Sequence, residues 1–372
     1  MKKLIEIYQE IADVKDTWCY YINANLHLHR DNLFGEHRAK TFIKEYFHAG
    51  GKIEVFKQLD LIPNAMEEIE PYRWNHILSS FLLGIAIERE LKGVPFEKSS
   101  SLQDIRYDDF LYYWYLISLY HDVGYVFENN SSEYAEKYKT WSAFLSDNDI
   151  CINNIRHRDC FLINNYYSYR INEHKTIDHG IVSGSLLYSG LLKVYKSAKN
   201  APKYDKLPEK NGFTYNGLFF PDTLPCMARD VALSIMKHNI WQANGNTEDT
   251  YKQYGLNELL PNEWKPITYK KDQNGCAYDP FLFLLAIADT LEPLKRFQCY
   301  DPQVVLNNIS LDFSGNPKEI IITVDKPLIT EEYFKGICGL GKNITQEQNH
   351  NSNPWLNVET LVQGNQVIIT LM

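Results

Sequence analysis

The stretch Trp114-Tyr115-Leu116-Ile117-Ser118-Leu119-Tyr120-His121-Asp122-Val123-Gly124-Tyr125 decides the fold of this chain. An apolar run without proline or glycine reads as a buried helix, and Gly124 stops it. His121 and Asp122 therefore fall at the helix's C-terminal edge. Neighbouring residues on a regular helix point about 100° apart, because one turn takes about 3.6 residues. An imidazole and a carboxylate placed there can serve one centre only if that centre lies beyond the helix end. A lone histidine at such a place is more often a cap or a core residue than a ligand, so the reading depends on partners elsewhere in the chain.

The partners come in order. His76 lies upstream in Arg73-Trp74-Asn75-His76, and downstream follow His179 in Asp178-His179-Gly180, His238 in Met236-Lys237-His238, and Asp289 in Ile287-Ala288-Asp289. Asp178 is placed to cap a helix whose first turn holds His179. His238 follows a helical pattern that begins at Met227. Asp289 interrupts the apolar helix Phe281–Ala288 at a core-facing position, where a carboxylate needs a partner, either a metal ion or a buried cation. Imidazoles with carboxylates suit Mn, Fe, Co, Ni or Zn, whereas oxygen ligands alone would favour Mg or Ca. Two such ions about 3.5–4 Å apart can activate water and clamp a phosphoryl group.

The series H, HD, H, H, D, with its helical context, resembles the HD-domain superfamily of metal-dependent phosphohydrolases over roughly residues 70–300. That resemblance implies a mainly α fold, an HD-domain helical bundle. It also implies a two-metal site, with His76, His121, Asp122 and Asp289 on a first ion, His179 and His238 on a second, and Asp122 bridging. The activity implied is hydrolysis of a phosphoester, in a nucleotide or similar small phosphorylated metabolite, by a metal-activated hydroxide. Asp122, His179 and His238 would stand at the chemistry, with Arg296, Lys237 or a protonated histidine neutralising charge on the leaving oxygen. Arg296 lies seven residues after Asp289, on nearly the same face if the helix runs past Pro293, and Arg73 lies three before His76. The chain departs from the cyclic-dinucleotide phosphodiesterases of this superfamily. Their HD-x-G-K lysine is Tyr125 here, and no Gly-Tyr-Pro follows His238. The same missing lysine weakens a CRISPR-associated HD nuclease. Two other readings stay open, a di-iron oxygenase on the same ligands and a nucleotide-sensing module without turnover.

Composition agrees with a folded globular protein. Of 372 residues 44% are hydrophobic and 23% charged, a globular balance. Phe81–Ile87 and Phe281–Ala288 are far shorter than the about 20 apolar residues of a membrane span. A net charge of −9 argues against long nucleic acid as a partner and favours a small substrate. The seven cysteines form no CxxC pair and read as reduced thiols, and the N-terminus carries acids where a secretory signal has an apolar core. A cytoplasmic protein is expected. The 26 tyrosines, clustered at Tyr112-Tyr113 and Tyr166-Tyr167, read as core and surface residues before base-stacking ones.

Outside the ligand segments the expected organisation is a helical extension over 1–69, the helical core over 70–300, and an α+β module over 301–372. Residues 93–104 read as a linker. Polar insertions at 126–176, 198–225 and 244–279 would wall the pocket, the first as a long loop of lid type. His27, His29 and His37, with Asp31 and Glu36, match no ligand spacing and read as non-ligands. In the C-terminal module, Val304–Phe313 with Ile320–Val324 reads as one hairpin and Trp355–Val362 with Val367–Leu371 as a second, separated by a short helix at Thr330–Gly336. Its role is left open between structural, oligomeric and substrate-facing.

Overall fold

The computed structural model describes residues 1–13, 71–90, 110–129, 131–152, 157–201, 205–207, 212–215, 218–240, 247–259, 280–313, 319–325, 342–343 and 358–371, with isolated positions at 33–34, 39, 155, 333–334 and 337. The linker at 93–104 and the His27, His29 and His37 group lie outside the described residues.

The chain opens with β1 (Lys2–Lys3) and α1 (Leu4–Asp13), followed by α2 (Pro71–Glu90), α3 (Phe110–Tyr120), α4 (Tyr125–Asn129), α5 (Ser131–Lys137), α6 (Trp141–Asp147) and α7 (His157–Tyr169). A π-helical turn, Arg170–His174, leads to α8 (His179–Lys199). Then come β2 (Asp205–Leu207), β3 (Gly212–Tyr215), β4 (Leu218–Pro221), α9 (Leu224–Lys237), α10 (Glu248–Gln253), α11 (Leu256–Leu259) and α12 (Pro280–Leu291). The C-terminal part holds α13 (Pro302–Asn307), β5 (Ile309–Asp312), β6 (Glu319–Val324), β7 (Lys342–Asn343), β8 (Val358–Gln363) and β9 (Gln366–Leu371).

The molecule is mainly helical. Helices α2, α3, α8, α9 and α12 pack on one another, and glycines set how closely. A Cβ on Gly84 would stand 2.0 Å from the Trp114 ring, so this glycine makes the slot in α2 that seats the fully buried indole of α3. The indole Nε1 donates to the Phe81 carbonyl at 2.9 Å, which satisfies its only donor inside the core. On α8, a Cβ on Gly184 would come 2.5 Å from the Ala232 carbonyl of α9, and one on Gly180 would come 2.7 Å from the His238 ring. The two glycines let α8 and α9 approach closely, Gly184 against the Ala232 carbonyl and the Met236 side chain and Gly180 against the His238 ring. Among the described residues no helix is long and apolar enough to cross a membrane.

The larger sheet runs β1-β5-β6-β9-β8-β7, antiparallel except for the parallel pair β7 and β8. Ile320, Ile322 and Val324 of β6 and Val367 and Ile369 of β9 face the core, the period-2 burial of a one-sided sheet. Both expected hairpins are present, β5 with β6 and β8 with β9, the second turning at Gly364 with φ +62°. One expectation is corrected. Residues 304–307, read as the start of a strand, belong instead to the helix Pro302–Asn307, because the Asp301 side chain accepts from the amides of Gln303 and Val304 at 2.8 and 3.3 Å and Pro302 follows it. Residues 2–3, read as helix, instead form the edge strand β1, pairing Lys2 with Leu311.

The insertion at 126–176 is also not a loop. Its described residues fold into α4–α7 and the π turn, and Tyr166 and Tyr167 are core residues with tethered hydroxyls. Tyr167 donates to the Tyr138 carbonyl and Tyr166 to the Asn239 carbonyl, both at 2.9 Å. In the insertion at 198–225, β2, β3 and β4 form a small antiparallel sheet. Cys151, Cys160, Cys226 and Cys299 are free thiols.

Candidate metal centre

Each of the five packed helices delivers at least one candidate ligand. His76 projects from the second turn of α2. His121 prolongs α3 by a turn, its amide bonded to the Ile117 carbonyl at 3.0 Å, and Asp122 follows. Gly124 then passes so close to the start of α8 that a Cβ would meet the His179 carbonyl at 2.2 Å, while its amide donates to Ser183 Oγ at 2.7 Å. Asp178 caps α8 through the Ile181 amide at 2.9 Å, which fixes His179 in the first turn as the sequence suggested. His238 caps the C-terminus of α9, and Asp289 lies on the last turn of α12.

Brought together, the six side chains form two groups of three. His76, His121 and Asp289 make one, and Asp122, His179 and His238 the other, with the ligand atoms of each group within 4.8 Å of one another. Asp122 joins them. Its Oδ2 lies 3.3 Å from His76 Nε2, and its Oδ1 lies 3.2 Å from His121 Nε2 and 3.6 Å from His179 Nε2. Asp289 Oδ1 stands 3.2 Å from His76 Nε2 and 3.6 Å from His121 Nε2. Five of the six residues are buried; Asp289, with a side chain 22% exposed, opens the site toward solvent.

The histidines are oriented by what holds their far nitrogens. His76 Nδ1 pairs with Glu292 at 2.7 Å and His179 Nδ1 closely with Glu128, while His121 Nδ1 donates to the Ser118 carbonyl and His238 Nδ1 to the Ile235 carbonyl, each at 2.6 Å. Each group therefore has one histidine anchored by a carboxylate and one by a backbone carbonyl. A proton fixed on Nδ1 leaves Nε2 as the ligand atom, the arrangement of metal-binding histidines. By its donor set, each of the two groups could hold a metal ion. One adjustment is needed at His179, whose Nε2 also meets the Asn239 amide nitrogen at 3.1 Å, so an ion there requires that amide to turn.

The electrostatics follow from these neighbours. Burial pulls His76 down, but the carboxylates of Asp122, Asp289 and Glu292 outweigh it and hold it well above its ordinary value. Burial likewise opposes Glu128 at His179, and Glu128 wins, raising it. His238 has no carboxylate anchor; burial and the charges of His179 and His121 push it down to about 3. For Asp122, burial is overcome by His121 and His76, and for Asp289 by Lys295 and the same histidines. Both carboxyls sit well below the usual range.

The expected cations are placed elsewhere. Lys237 Nζ lies 3.7 Å from Asp159 in a buried pair, and the Arg296 guanidinium donates to the Glu292 carbonyl at 2.9 Å and lies over the Tyr333 ring. The cations at the ligands are Lys295, 2.7 Å from Asp289 Oδ1, and Arg73, 3.4 Å from Asp122 Oδ2. Helix α12 stops at Leu291, before Pro293, so the seven-residue spacing from Asp289 to Arg296 is not a helical repeat. Glu128, Glu292 and Lys295 went unmarked in the sequence. Glu292, three residues after Asp289, was open to an i, i+3 reading of α12; Glu128 had no comparable signal.

No protein-family model, no curated protein and no solved structure matches the chain.

Proposed function

We propose that this protein holds two divalent transition-metal ions and hydrolyses a phosphoester of a nucleotide or similar small phosphorylated metabolite. The observation that carries the reading is the joining of two three-ligand groups by the two oxygens of Asp122. Two ions bound there would lower the pKa of water and polarise a phosphoryl oxygen.

The chain's own residues supply the rest. Asp122 faces both groups and holds them in register. Glu292 and Glu128 fix the Nδ1 protons of His76 and His179, so that neither ring can turn its ligand nitrogen away. Asp122, Asp289, Glu128, Glu292 and the capping Asp178 are answered by Arg73, Lys295 and by Arg170, which pairs with Glu128 at 2.6 Å. Two divalent ions would tip this balance to net positive, which favours an anionic substrate. His76, His121, Asp122, His179 and His238 are buried, which keeps bulk water away from these side chains.

Elemental analysis of the purified protein beside Asp122→Asn, with both assayed on bis-p-nitrophenyl phosphate and a nucleotide panel in Mn²⁺ and Ni²⁺, tests the reading. The expected result is about two ions per chain in the parent, with both metal and turnover lost in the variant. Iron content coupled to oxygen uptake, or tight nucleotide binding without turnover, would overturn it.

A further inference from the structure

The two carboxylates that anchor the site's histidines are held in different ways. Glu292 is fully buried, and the amides of Leu294 and Lys295, from its own segment of chain, donate to its carboxylate at 2.7 and 3.0 Å. Glu128 stands on α4, a helix of five residues, too short to be stable by itself. Its Oε2 accepts from the His179 amide at 3.2 Å and, closely, from His179 Nδ1, while its Oε1 accepts from Nη2 of Arg170 at 2.6 Å. One oxygen serves the candidate ligand and the other a cation. The pair is short for a charge-assisted bond, and its side chains are only 22% and 18% exposed, whereas the pair of Lys193 with Asp149 stands open in solvent.

An unusual piece of backbone delivers Arg170. Helix α7 continues past Tyr169 as the π turn Arg170–His174, where the Lys175 amide donates to the Arg170 carbonyl and Lys175 itself takes φ +56°. The Thr176 amide donates to the same carbonyl at 3.3 Å. Rings seat the turn: Tyr169, buried, is packed by Tyr166, His174, Tyr251 and Tyr254 at centroid distances between 4.9 and 5.7 Å. Such π turns are rare and frequently lie at functional sites. The chain then reverses to the Asp178 cap and His179, so that Arg170 and His179 meet on the two oxygens of Glu128.

We infer that Arg170 is a positioning residue for the ion of the Asp122, His179 and His238 group, acting through Glu128, and that the 126–176 insertion, which supplies both Glu128 and Arg170, serves to build that half of the site. The inference rests on the two-ion part of the reading given above. With the guanidinium in place, Glu128 keeps one oxygen on His179, and the imidazole keeps Nε2 toward Asp122. Without it, the partly exposed Glu128 is free to leave His179 for solvent. The His76, His121 and Asp289 group, whose anchor Glu292 is held by backbone amides, has no such dependence.

The test is calorimetric titration of the full chain with Mn²⁺, resolved into its two binding steps. Arg170→Gln should weaken, by about ten- to a hundredfold, the step that His179→Ala abolishes, and should leave the other within about twofold. The contact runs through a single nitrogen, so Arg170→Lys, which keeps the charge, should restore most of the affinity. In Glu128→Gln the same step should already be weak, and adding Arg170→Gln should change it by less than about threefold, because the two residues act as one unit. Losses that multiply in the double variant would show that Arg170 acts apart from Glu128 and would overturn the inference, as would equal weakening of both steps, the mark of a general loss of structure. A parent with a single binding step would overturn the two-ion reading and this inference together. Two steps unchanged in Arg170→Gln would overturn this inference alone.

Discussion

His238 and His76 show how one residue type is set to opposite states within one site. His238, held by a carbonyl and pushed down to about 3 by burial and its cationic neighbours, is neutral at any ordinary pH and ready as a ligand. Against burial, their carboxylate neighbours hold His76 and His179 above their ordinary values, so both carry protons further up the pH scale. A metal ion must expel those protons. The sign follows: affinity for divalent ions rises with pH up to the raised values of His76 and His179 and levels off above them, while Asp122 and Asp289, held low, stay ionised throughout. Titration with Mn²⁺ or Zn²⁺ in two buffers of different ionisation enthalpy near neutral pH should show protons released from this pair on filling. Glu292→Gln should release fewer, since it removes one carboxylate that raises His76, and should bind metal about 10- to 100-fold more weakly. Unchanged proton release in that variant would deny Glu292 its role.

At the scale of elements, the placement of the ligands depends on how closely α8 and α9 approach. Alanine in a helix interior is favoured over glycine by about 0.8–1.0 kcal/mol, so Gly184→Ala would be stabilising on propensity alone. The added Cβ would meet the Ala232 carbonyl and the Met236 side chain at 2.5 Å each, and the backbone atom cannot swing aside. Overpacking of this kind costs about 1–3 kcal/mol, and the clash wins. Gly184→Ala should lower the thermal midpoint yet keep two metals. In Gly180→Ala the new Cβ lies 2.7 Å from the His238 ring, so the same measurement should show loss of stability together with loss of metal from the Asp122, His179 and His238 group. Equal metal content in the two variants would show that the crossing does not place His238. The grouping of these candidate ligands was legible in the sequence because each sits at a helix end or in an apolar run that local signals mark: Gly124 after His121, the Asp178 cap before His179, the apolar run around Asp289. Their supports were harder to see, because Glu128 and Glu292 reach partners 51 and 216 residues away, and only Glu292, three residues after Asp289, had a local spacing to mark it. The polar look of 126–176 misled for another reason. Tyrosine buries its ring and tethers its hydroxyl, so Tyr166 and Tyr167 read as polar and pack as core.

Across the whole molecule, the bundle and the C-terminal sheet share one core. Ile77 and Leu285 of the helices, Leu4 and Tyr8 of α1, and Ile320 and Val367 of the sheet belong to one continuous hydrophobic cluster. Helix α1 is the tie. Its strand extension β1 pairs with β5, while Tyr8, fully buried, bonds through its hydroxyl to Ser79 of α2 at 3.0 Å. A second tie is the Tyr333 hydroxyl, which donates to the Leu291 carbonyl at 2.6 Å where α12 ends beside Glu292 and Asp289. A core without a seam unfolds as one unit, so calorimetry should record a single transition, and ions bound only at the helix ends should raise the midpoint of the sheet along with that of the bundle. At metal about 100-fold above Kd the added stability is about 2.7 kcal/mol. Tyr8→Ala, which opens a cavity at the joint, should cost about 3–5 kcal/mol on the scale of large aromatic truncations while leaving all six ligands in place. If the sheet were instead an independent unit, that variant would split the scan into two transitions, and only the one belonging to the bundle would move when metal is added.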